Sequence, residues 1–405
     1  MRKKIKTDIA IVGSGIIGSA FAHFVSSSGF KVVLIEQSDL SLLSNASYDG
    51  RASAIAYGTK IILETSGLWE HLEKKAEPIL GIRVREEGSK HFLNFSYDEI
   101  GSDPIGYMIE NRYLRSAFYK NLTNNSNLLL LDKTKVTSFN INKGNVKIIT
   151  DNDEEITSSL LVGSDGSNSK IRKAIEVNTF VKNYNQKAIV VSVKHEKPHN
   201  GVAIELFRTP GPFAILPLQG NSSSLVWVES KLTSDYLLGL NKKEFDYQLQ
   251  KRFGNFLGKV ESIDPRWSYD LKLIHAEKYV SQRVALLGDS AHTLHPLAGQ
   301  NLNLSFRDAS VLLDEILIAA RLGLDIGNIK VLSKYESRRR PDNFRIAFTT
   351  NGLNSLFSNE LFPIRISRNI GLSAVNKFPN LKKIIMKYAR GSLGKKSELS
   401  KGQVP

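Results

Sequence analysis

The residues best suited to chemistry in this chain lie in three glycine-bearing segments far apart in sequence: Gly13-Ser14-Gly15-Ile16-Ile17-Gly18, Gly163-Ser164-Asp165-Gly166 and Gly288-Asp289. Each follows an apolar run that reads as a buried strand. Each can therefore present backbone or a carboxylate to one long ligand at a strand's end. In the first segment a β-rich run, residues 8–12, leads into the glycines, and residues 19–28 form a helix-like stretch ended by Gly29. A second strand, residues 31–35, is closed by Glu36. Glycines at this spacing permit a tight turn, let backbone approach a pyrophosphate and allow close helix–strand packing. The helix start offers free N–H groups and the positive end of its dipole to phosphates. Glu36 can accept ribose hydroxyls and would repel a 2′-phosphate, which favours FAD or NAD over NADP. A glycine-rich turn without a ligand is the plainer reading of such a triplet, but strand, helix and acid in register argue against it. The three segments together point to FAD, held by a fold that closes on itself from Gly13 to Gln300.

The third segment runs on through Ser290, Ala291, His292, Thr293, Leu294, His295, Pro296, Leu297, Ala298, Gly299, Gln300, Asn301, Leu302 and Asn303. Asp289, at a strand end, can bond a flavin's ribityl hydroxyls, and Pro296 gives a rigid bend. The N–H groups after Gly299 open the next helix and can polarise the flavin O2/N1 edge, where reduced flavin carries negative charge. Asp289, His292 and His295 are alternatively metal ligands, although Pro296 and the glycines do not suit a helical metal face. The two histidines read equally well as structural.

The elements that must position these residues follow from periodicity. Residues 40–60 look like a loop entering a helix, and 107–122 like a strand end followed by a helix. Residues 128–131, 136–140 and 146–150 are short β signals leading to the second glycine segment. From about 188 to 230 the runs 188–193, 202–207, 213–216 and 225–228 argue a largely antiparallel sheet. Residues 284–287 return to a buried-strand pattern, and 302–322 and 329–340 read as helices. The expected fold class is α/β: a Rossmann-like FAD-binding domain, an inserted and mostly antiparallel β-sheet substrate domain, and a C-terminal helical region. The expected division is 1–180 and 276–345 for the FAD-binding domain, the first part including some substrate-domain strands, with 181–275 for the substrate domain and 346–405 for the basic helical end.

These motifs resemble the ubiquinone-biosynthesis hydroxylases, flavin-dependent aromatic monooxygenases with the para-hydroxybenzoate hydroxylase fold. The resemblance rests on the glycine triplet with Glu36, on Asp49-Gly50-Arg51-Ala52-Ser53-Ala54-Ile55-Ala56-Tyr57-Gly58, on Gly163 to Gly166 and on Gly288 to Asn303. It extends through residues 205–218 and 351–358. It implies that Gly13, Gly15, Gly18 and Glu36 hold the ADP half of FAD, that Arg51 lies close to the flavin, and that Asn111 or Arg112 lies near the phosphates or ribityl chain. It implies a pyrophosphate and transient nicotinamide contact for the Asp165 segment, a ribityl or pyrophosphate contact for Asp289, and an isoalloxazine lined by Pro296, Gly299, Gln300 and Asn301. From the residues alone, Arg51 reads as well as a surface or capping arginine and Asp165 as a turn former. The implied reaction has NAD(P)H reduce the flavin and O2 add at C4a, the hydroperoxide then delivering oxygen to a polyprenylphenol ring. The protein positions, desolvates and stabilises charge, with Arg51 and Pro296 nearest the chemistry. Phe207, Phe213 and Leu216 are candidates to line the substrate, ordinary sheet core being the alternative. The family usually carries glycine where this chain has Asn301. If that position needs positive φ, asparagine is the least damaging replacement, and its side chain would crowd the flavin edge. Two other readings stay open: a flavin reaction on a soluble aromatic, and a non-catalytic FAD-binding subunit of a biosynthetic complex.

The chain has 405 residues and a net charge of +15, with 55 Lys and Arg against 40 acids. Residues 361–405 carry ten basic residues against Glu398 alone. Phe378, Leu381, Ile385 and Tyr388 share one helical face there, with Lys382, Lys383 and Lys387 elsewhere. Such a helix can lie on anionic lipid, where a polyprenylated ring would reside, or can be a solvated helix packed on the protein. No recognition motif supports nucleic acid as a partner. The absence of cysteine excludes disulfides, thiolate metal sites and cysteinyl-flavin links and fits a cytoplasmic protein, which the basic helix would hold at the membrane's inner face. Asp8 interrupts the first apolar run, which reads as a strand rather than a signal peptide. No apolar stretch approaches the roughly 20 residues of a membrane span.

Overall fold

The computed structural model describes residues 3–41, 48–87, 92–296, 299–357, 378–392 and 396–405. Leu297, Ala298 and Ser358 of the motifs above, and Arg365, Arg368, Lys377 and Lys395 of the ten basic residues in 361–405, lie outside the described residues. The strand Lys3–Val12 becomes fully buried at Ile9 to Ile11, as expected of a central parallel strand covered on both faces. It pairs in parallel with Val32–Ile35 on one side and Glu154–Gly163 on the other. Leu128–Leu131 and Val284–Leu286 extend the parallel sheet outward, and the antiparallel hairpin of Val136–Ile141 and Val146–Thr150 branches from it. Helices Ile16–Ser27, Asn111–Thr123 and Gln300–Arg321 cover it, joining one core that includes Phe21, Phe118 and Phe306.

A second sheet forms a roof. Its strand order is His292–Thr293, Val260–Ala276, Thr179–His195, Ser222–Ser230, Phe213–Leu218, Val202–Phe207, Gly81–Glu86 and Phe92–Ser96. Every neighbouring pair is antiparallel except Val202–Phe207 with Gly81–Glu86. Two 17-residue strands, Thr179–His195 and Val260–Ala276, are its spine. Only the buried middle of the first shows an apolar run, because its leading half alternates exposed and half-buried positions. Helices Lys231–Gly239 and Lys242–Phe253 close one face through Leu237, Phe245 and Leu249, packed on Phe213 and Trp227.

A small antiparallel sheet of Ala52–Ala56, Gly106–Glu110 and Glu77–Ile79 lies against the other face of the roof. The expected loop at 40–60 thus contains a strand, created by pairing with residues 106–110. Helix Ile329–Phe357 also runs past its expected end at Arg340, through Pro341. Proline removes a helix N–H, yet Arg339, Asn343, Ile346 and Ala347 are all buried, so packing outweighs the lost bond. Asn351 ties this helix to the roof, accepting bonds from Lys182 Nζ (2.8 Å) and Tyr184 Oη (3.1 Å).

Candidate active site

The three glycine segments meet in one joint. Gly13 adopts φ 99°, and a Cβ there would lie 2.4 Å from the Ser164 carbonyl oxygen. A Cβ on Gly18 would lie 1.9 Å from the Gly13 carbonyl oxygen, and one on Gly288 would touch Ile17 at 3.4 Å. The Gly163 carbonyl accepts bonds from Leu287 N–H (2.9 Å) and Ser290 Oγ (2.5 Å). The ends of three adjacent parallel strands are locked together in this way. Gly15 differs: it caps helix Ile16–Ser27, and a Cβ there would meet nothing within 4 Å. The helix's first N–H groups lack intrahelical partners and face that open space. A phosphate pair fits this cradle on both geometry and charge.

Glu36 stands beside it. One carboxylate oxygen accepts from Ser14 N–H (2.7 Å) and Ser14 Oγ (3.0 Å), and the other from Ser38 N–H (2.9 Å). Ser14 thus fixes the acid's orientation, a role not visible in the glycine spacing. Asp165 is held within its own loop. Its carboxylate accepts from Ser169 Oγ (2.5 Å), Lys170 N–H (2.6 Å) and Ile171 N–H (3.1 Å), capping the short helix Lys170–Ala174. The Asp165 segment's link to the cradle is therefore through backbone, Ser164 against Gly13.

Gly299 carries φ 58° and opens helix Gln300–Arg321, and a Cβ on it would press on Ala54 Cβ at 3.2 Å. Pro296 sets the turn, its carbonyl accepting Gly299 N–H at 2.9 Å. Asn303, 2% exposed, clamps this helix to strand Ala52–Ala56: its amide donates to the Ala54 and Gly299 carbonyls, and its oxygen accepts Ala56 N–H at 2.8 Å. Asn303 was visible only as the end of a motif. Its role comes from a partner strand 247 residues earlier.

Arg51 precedes that strand. Its guanidinium donates to Asp49 (2.8 and 3.1 Å) and lies 4.9 Å from the Trp267 ring centre. Arg115 reaches the same Asp49 oxygen at 2.7 Å, and Trp267 Nε1 donates to the Asp49 carbonyl. Burial pushes the Asp49 carboxyl up, but Arg51 and Arg115 hold it below its ordinary value. Asn111 N–H donates to the Arg51 carbonyl (2.9 Å) and its side chain accepts from Ser53 Oγ (2.7 Å). Arg112 pairs with Glu110 (3.1 Å) and stacks near Tyr48 and Tyr113. Arg51, Asn111 and Arg112 are thereby grouped at one corner, with Asp49, Arg115 and Trp267 as partners that sequence spacing did not indicate.

His292 and His295 are internal. His292 Nε2 bonds Asp308 at 2.6 Å, both side chains fully buried. Burial pushes the His295 imidazole down to about 4, and its ring meets Tyr184 edge-on at 5.1 Å. Among the described residues no group of acids and histidines is arranged to hold a metal ion. Phe213 faces the helix-covered side of the roof and belongs to the core there; strand alternation places Leu216 on the other side, toward Ile79 and Met108.

Residues 6–346 match the FAD binding domain family. The chain is 41% identical to ubiquinone hydroxylase UbiL of Rhodospirillum rubrum, covering 95% of this chain and 90% of that protein. It is 32% identical to 3-demethoxyubiquinol 3-hydroxylase of Escherichia coli, over 95% of this chain and 98% of that one. The chain belongs to the ubiquinone-biosynthesis hydroxylase family. The fold is also that of p-nitrophenol 4-monooxygenase from Pseudomonas putida, with a TM-score of 0.79, 19% identity, 97% of this chain and all of the other covered. FAD is the cofactor of the family's shared domain, and the cradle at Gly15 suits it.

Within this family of hydroxylases Asn301 is the departure noted above. The structure removes the need for positive φ at this position: Asn301 lies in the first turn of a regular helix, and the left-handed residue is Gly299. Its side chain is turned to Asp289, donating at 2.7 Å, while its oxygen accepts Leu294 N–H at 3.2 Å. Burial raises the Asp289 carboxyl, and the Asn301 amide and His292 oppose that rise. Asn301→Gly removes the donor and leaves Asp289 unheld, at a cost of about 1 kcal/mol. FAD affinity is expected to fall about fivefold, more at acid pH, where an unheld Asp289 protonates sooner. Flavin fluorescence titration across pH checks this; an unchanged Kd at every pH would contradict it.

Proposed function

We propose that this protein is an FAD-dependent monooxygenase hydroxylating the aromatic ring of a polyprenylphenol on the way to ubiquinone, with NAD(P)H as reductant and O2 as oxygen source. The observation that carries the reading is the junction of three distant segments around Gly15, with Asp289 and the Gly299 helix start at its far side. In the proposed arrangement Gly13, Gly15 and Gly18 accommodate the pyrophosphate at the helix N-terminus. Glu36 accepts the adenosine ribose hydroxyls, and Asp289, steadied by Asn301, takes the ribityl chain. Asn111 and Arg112 serve the same stretch of cofactor, and Asp165 supports it indirectly by capping the following helix. Pro296, Gly299, Gln300 and Asn301 line the ring system. The N–H groups opening helix Gln300–Arg321 stabilise negative charge on its edge. Arg51, steadied by Asp49 and Trp267, faces the ring from the neighbouring strand. Bound FAD supplies the redox chemistry and the activation of O2. The chain's own residues bind it, exclude water through the roof sheet and hold the phenolic ring in place.

The departure at Asn301, which would favour a non-catalytic FAD-binding subunit, has an evident structural use in holding Asp289. Purified protein is expected to be yellow, and a short-chain polyprenylphenol should accelerate NAD(P)H and O2 consumption. A colourless protein that takes up no FAD would refute the proposal. Bound FAD with no product from any phenol would leave the scaffold reading.

The greasy substrate gives the C-terminal helix a role. Pro379–Ala389 is anchored through buried Met386, Lys382–Glu99 (2.7 Å) and Arg390–Asp103 (3.1 Å). That anchoring leaves Phe378, Leu381, Ile384, Ile385 and Tyr388 exposed beside Lys383 and Lys387. Among the described residues no helix is long and apolar enough to cross a membrane. We infer peripheral contact with the inner face of the cytoplasmic membrane through this helix. Replacing Leu381, Ile384 and Ile385 together by serine is expected to lower binding to anionic liposomes on the order of a thousandfold, at about 1.5 kcal/mol per buried aliphatic side chain. Unchanged sedimentation with liposomes would refute the contact.

A further inference from the structure

The strand Val202–Phe207 divides its side chains between two environments. Ile204 and Leu206 pack with Trp227 and Phe245 on the helix-covered face of the roof. Alternation sends Ala203, Glu205 and Phe207 to the other face. There Ala203 joins Leu216, Leu218 and Ile82 against Ile79 and Met108 of the small sheet. That same small sheet touches Gly299 through Ala54 and carries Arg51 at its edge. Glu205 thus stands between the roof and the strand nearest the flavin-binding residues. Its register neighbours are Ala214 and Val84, both apolar. Its carboxyl is half-buried, and burial alone pushes it up to about 7.

Charged and titratable groups lie around this face without entering that shift. On the adjoining strand Glu86 follows two residues beyond Val84, itself buried. From the small sheet comes Glu77, also raised by burial. Tyr97 and Glu99 follow strand Phe92–Ser96, with Lys382 of the C-terminal helix bonded to Glu99. His199 bonds the Leu218 carbonyl at 2.7 Å, and Arg208 reaches toward Glu87 and Glu229. Glu205 is an acid on a largely apolar face, and no hydrogen bond or ion pair to it is seen among the described residues. A structural acid in such a place ordinarily has a partner.

We propose that Glu205 receives the substrate's phenolic hydroxyl and takes its proton. The inference rests on the hydroxylase reading. The phenol O–H bond breaks, its electron pair stays on the phenolate oxygen, and the proton makes Glu205 a neutral carboxylic acid that later releases it to water. The ring is then more electron-rich for attack by an electrophilic oxygen, and a base titrating near the working pH is well matched to that transfer. Because the ionised form is the acceptor, hydroxylation falls as pH drops through about 7.

The test compares wild type, Glu205→Gln and Glu205→Asp, all loaded with FAD, on a short-chain polyprenylphenol across the neutral pH range. Glu205→Gln is expected to retain its flavin, lose about a hundredfold in hydroxylation rate and lose the pH step, with Glu205→Asp partly restoring both. A Glu205→Gln enzyme with the wild-type rate and pH step would overturn the inference alone. A wild-type holoenzyme that hydroxylates no phenol would overturn the function it rests on.

Discussion

Gly18→Ala is expected to give a colourless protein. The added methyl carbon would lie 1.9 Å from the Gly13 carbonyl oxygen, against about 3.5 Å for ordinary contact. The obstacle is backbone, which cannot swing aside as a side chain does. Helix Ile16–Ser27 must therefore retreat from the loop, and its free N–H groups retreat with it. Gly13 is itself held, its N–H bonded to the Ile35 carbonyl at 2.9 Å. A displacement of this size removes the aligned donors and the dipole from the phosphates together, a loss of about 3 kcal/mol or more in FAD binding, on the order of a hundredfold. Gly15→Ala is the informative companion. Its methyl meets no protein atom within 4 Å, so the thermal midpoint of the apoprotein should stay close to wild type. It would nonetheless weaken FAD by occupying the space the phosphates need. Isothermal titration with FAD and thermal melts of both apoproteins separate the two effects. Equal melting losses in both variants would contradict the proposed division between joint and cradle.

The second large effect concerns stability. Asp308 is fully buried and accepts from His292 (2.6 Å), Arg339 Nε (2.6 Å) and the Asn343 amide (3.0 and 3.1 Å). Asp308→Ala leaves a buried guanidinium with, among the described residues, only Asp342 and Asn343 as partners. Removing one side of a buried pair costs about 3–5 kcal/mol, readable as a lower urea midpoint. Burial pushes the Asp308 carboxyl up, but Arg339 and His292 outweigh it and hold the carboxyl below its ordinary value. A depressed folded-state pKa contributes stability that is complete above the unfolded value of about 3.9 and lost as pH falls below it. The wild type should therefore lose this increment below about pH 4, narrowing its gap to Asp308→Ala. A gap that is constant from neutral to acid pH would contradict the charge-based explanation. The network also bears on the site, since His292 starts the turn that delivers Pro296 and Gly299.

How much of this was legible beforehand depended on whether a residue's partner was local. The first βαβ unit was readable because its glycines, helix and Glu36 act within some 25 residues, and β-rich runs between turn residues revealed the middle strands of the roof, while Gly81–Glu86, Phe92–Ser96 and Val260–Ala276, which join it from elsewhere in the chain, were not read. The FAD assignment followed from three such local units. The strand Ala52–Ala56 was not readable as one, because it exists only through pairing with residues 106–110 and the clamp from Asn303. Asp165 illustrates the converse: a carboxylate after Gly163-Ser164 suits a ligand on paper, but three donors lie within the next six residues and claim it. At Asn301 the condition of a positive φ does not arise, since the left-handed turn is complete at Gly299 before the helix begins. Glu205 could be placed in a family motif, yet its isolation on an apolar face appears only when two sheets are brought together.

The most direct test of the hydroxylase assignment is the fate of oxygen in a single reaction. FAD-loaded protein, NAD(P)H and a short-chain polyprenylphenol should be incubated under isotopically labelled O2, and the product analysed by mass spectrometry. The expected result is one labelled oxygen atom in the aromatic ring per turnover, with little peroxide released. Consumption of NAD(P)H with all oxygen recovered as hydrogen peroxide and an unlabelled phenol would contradict it.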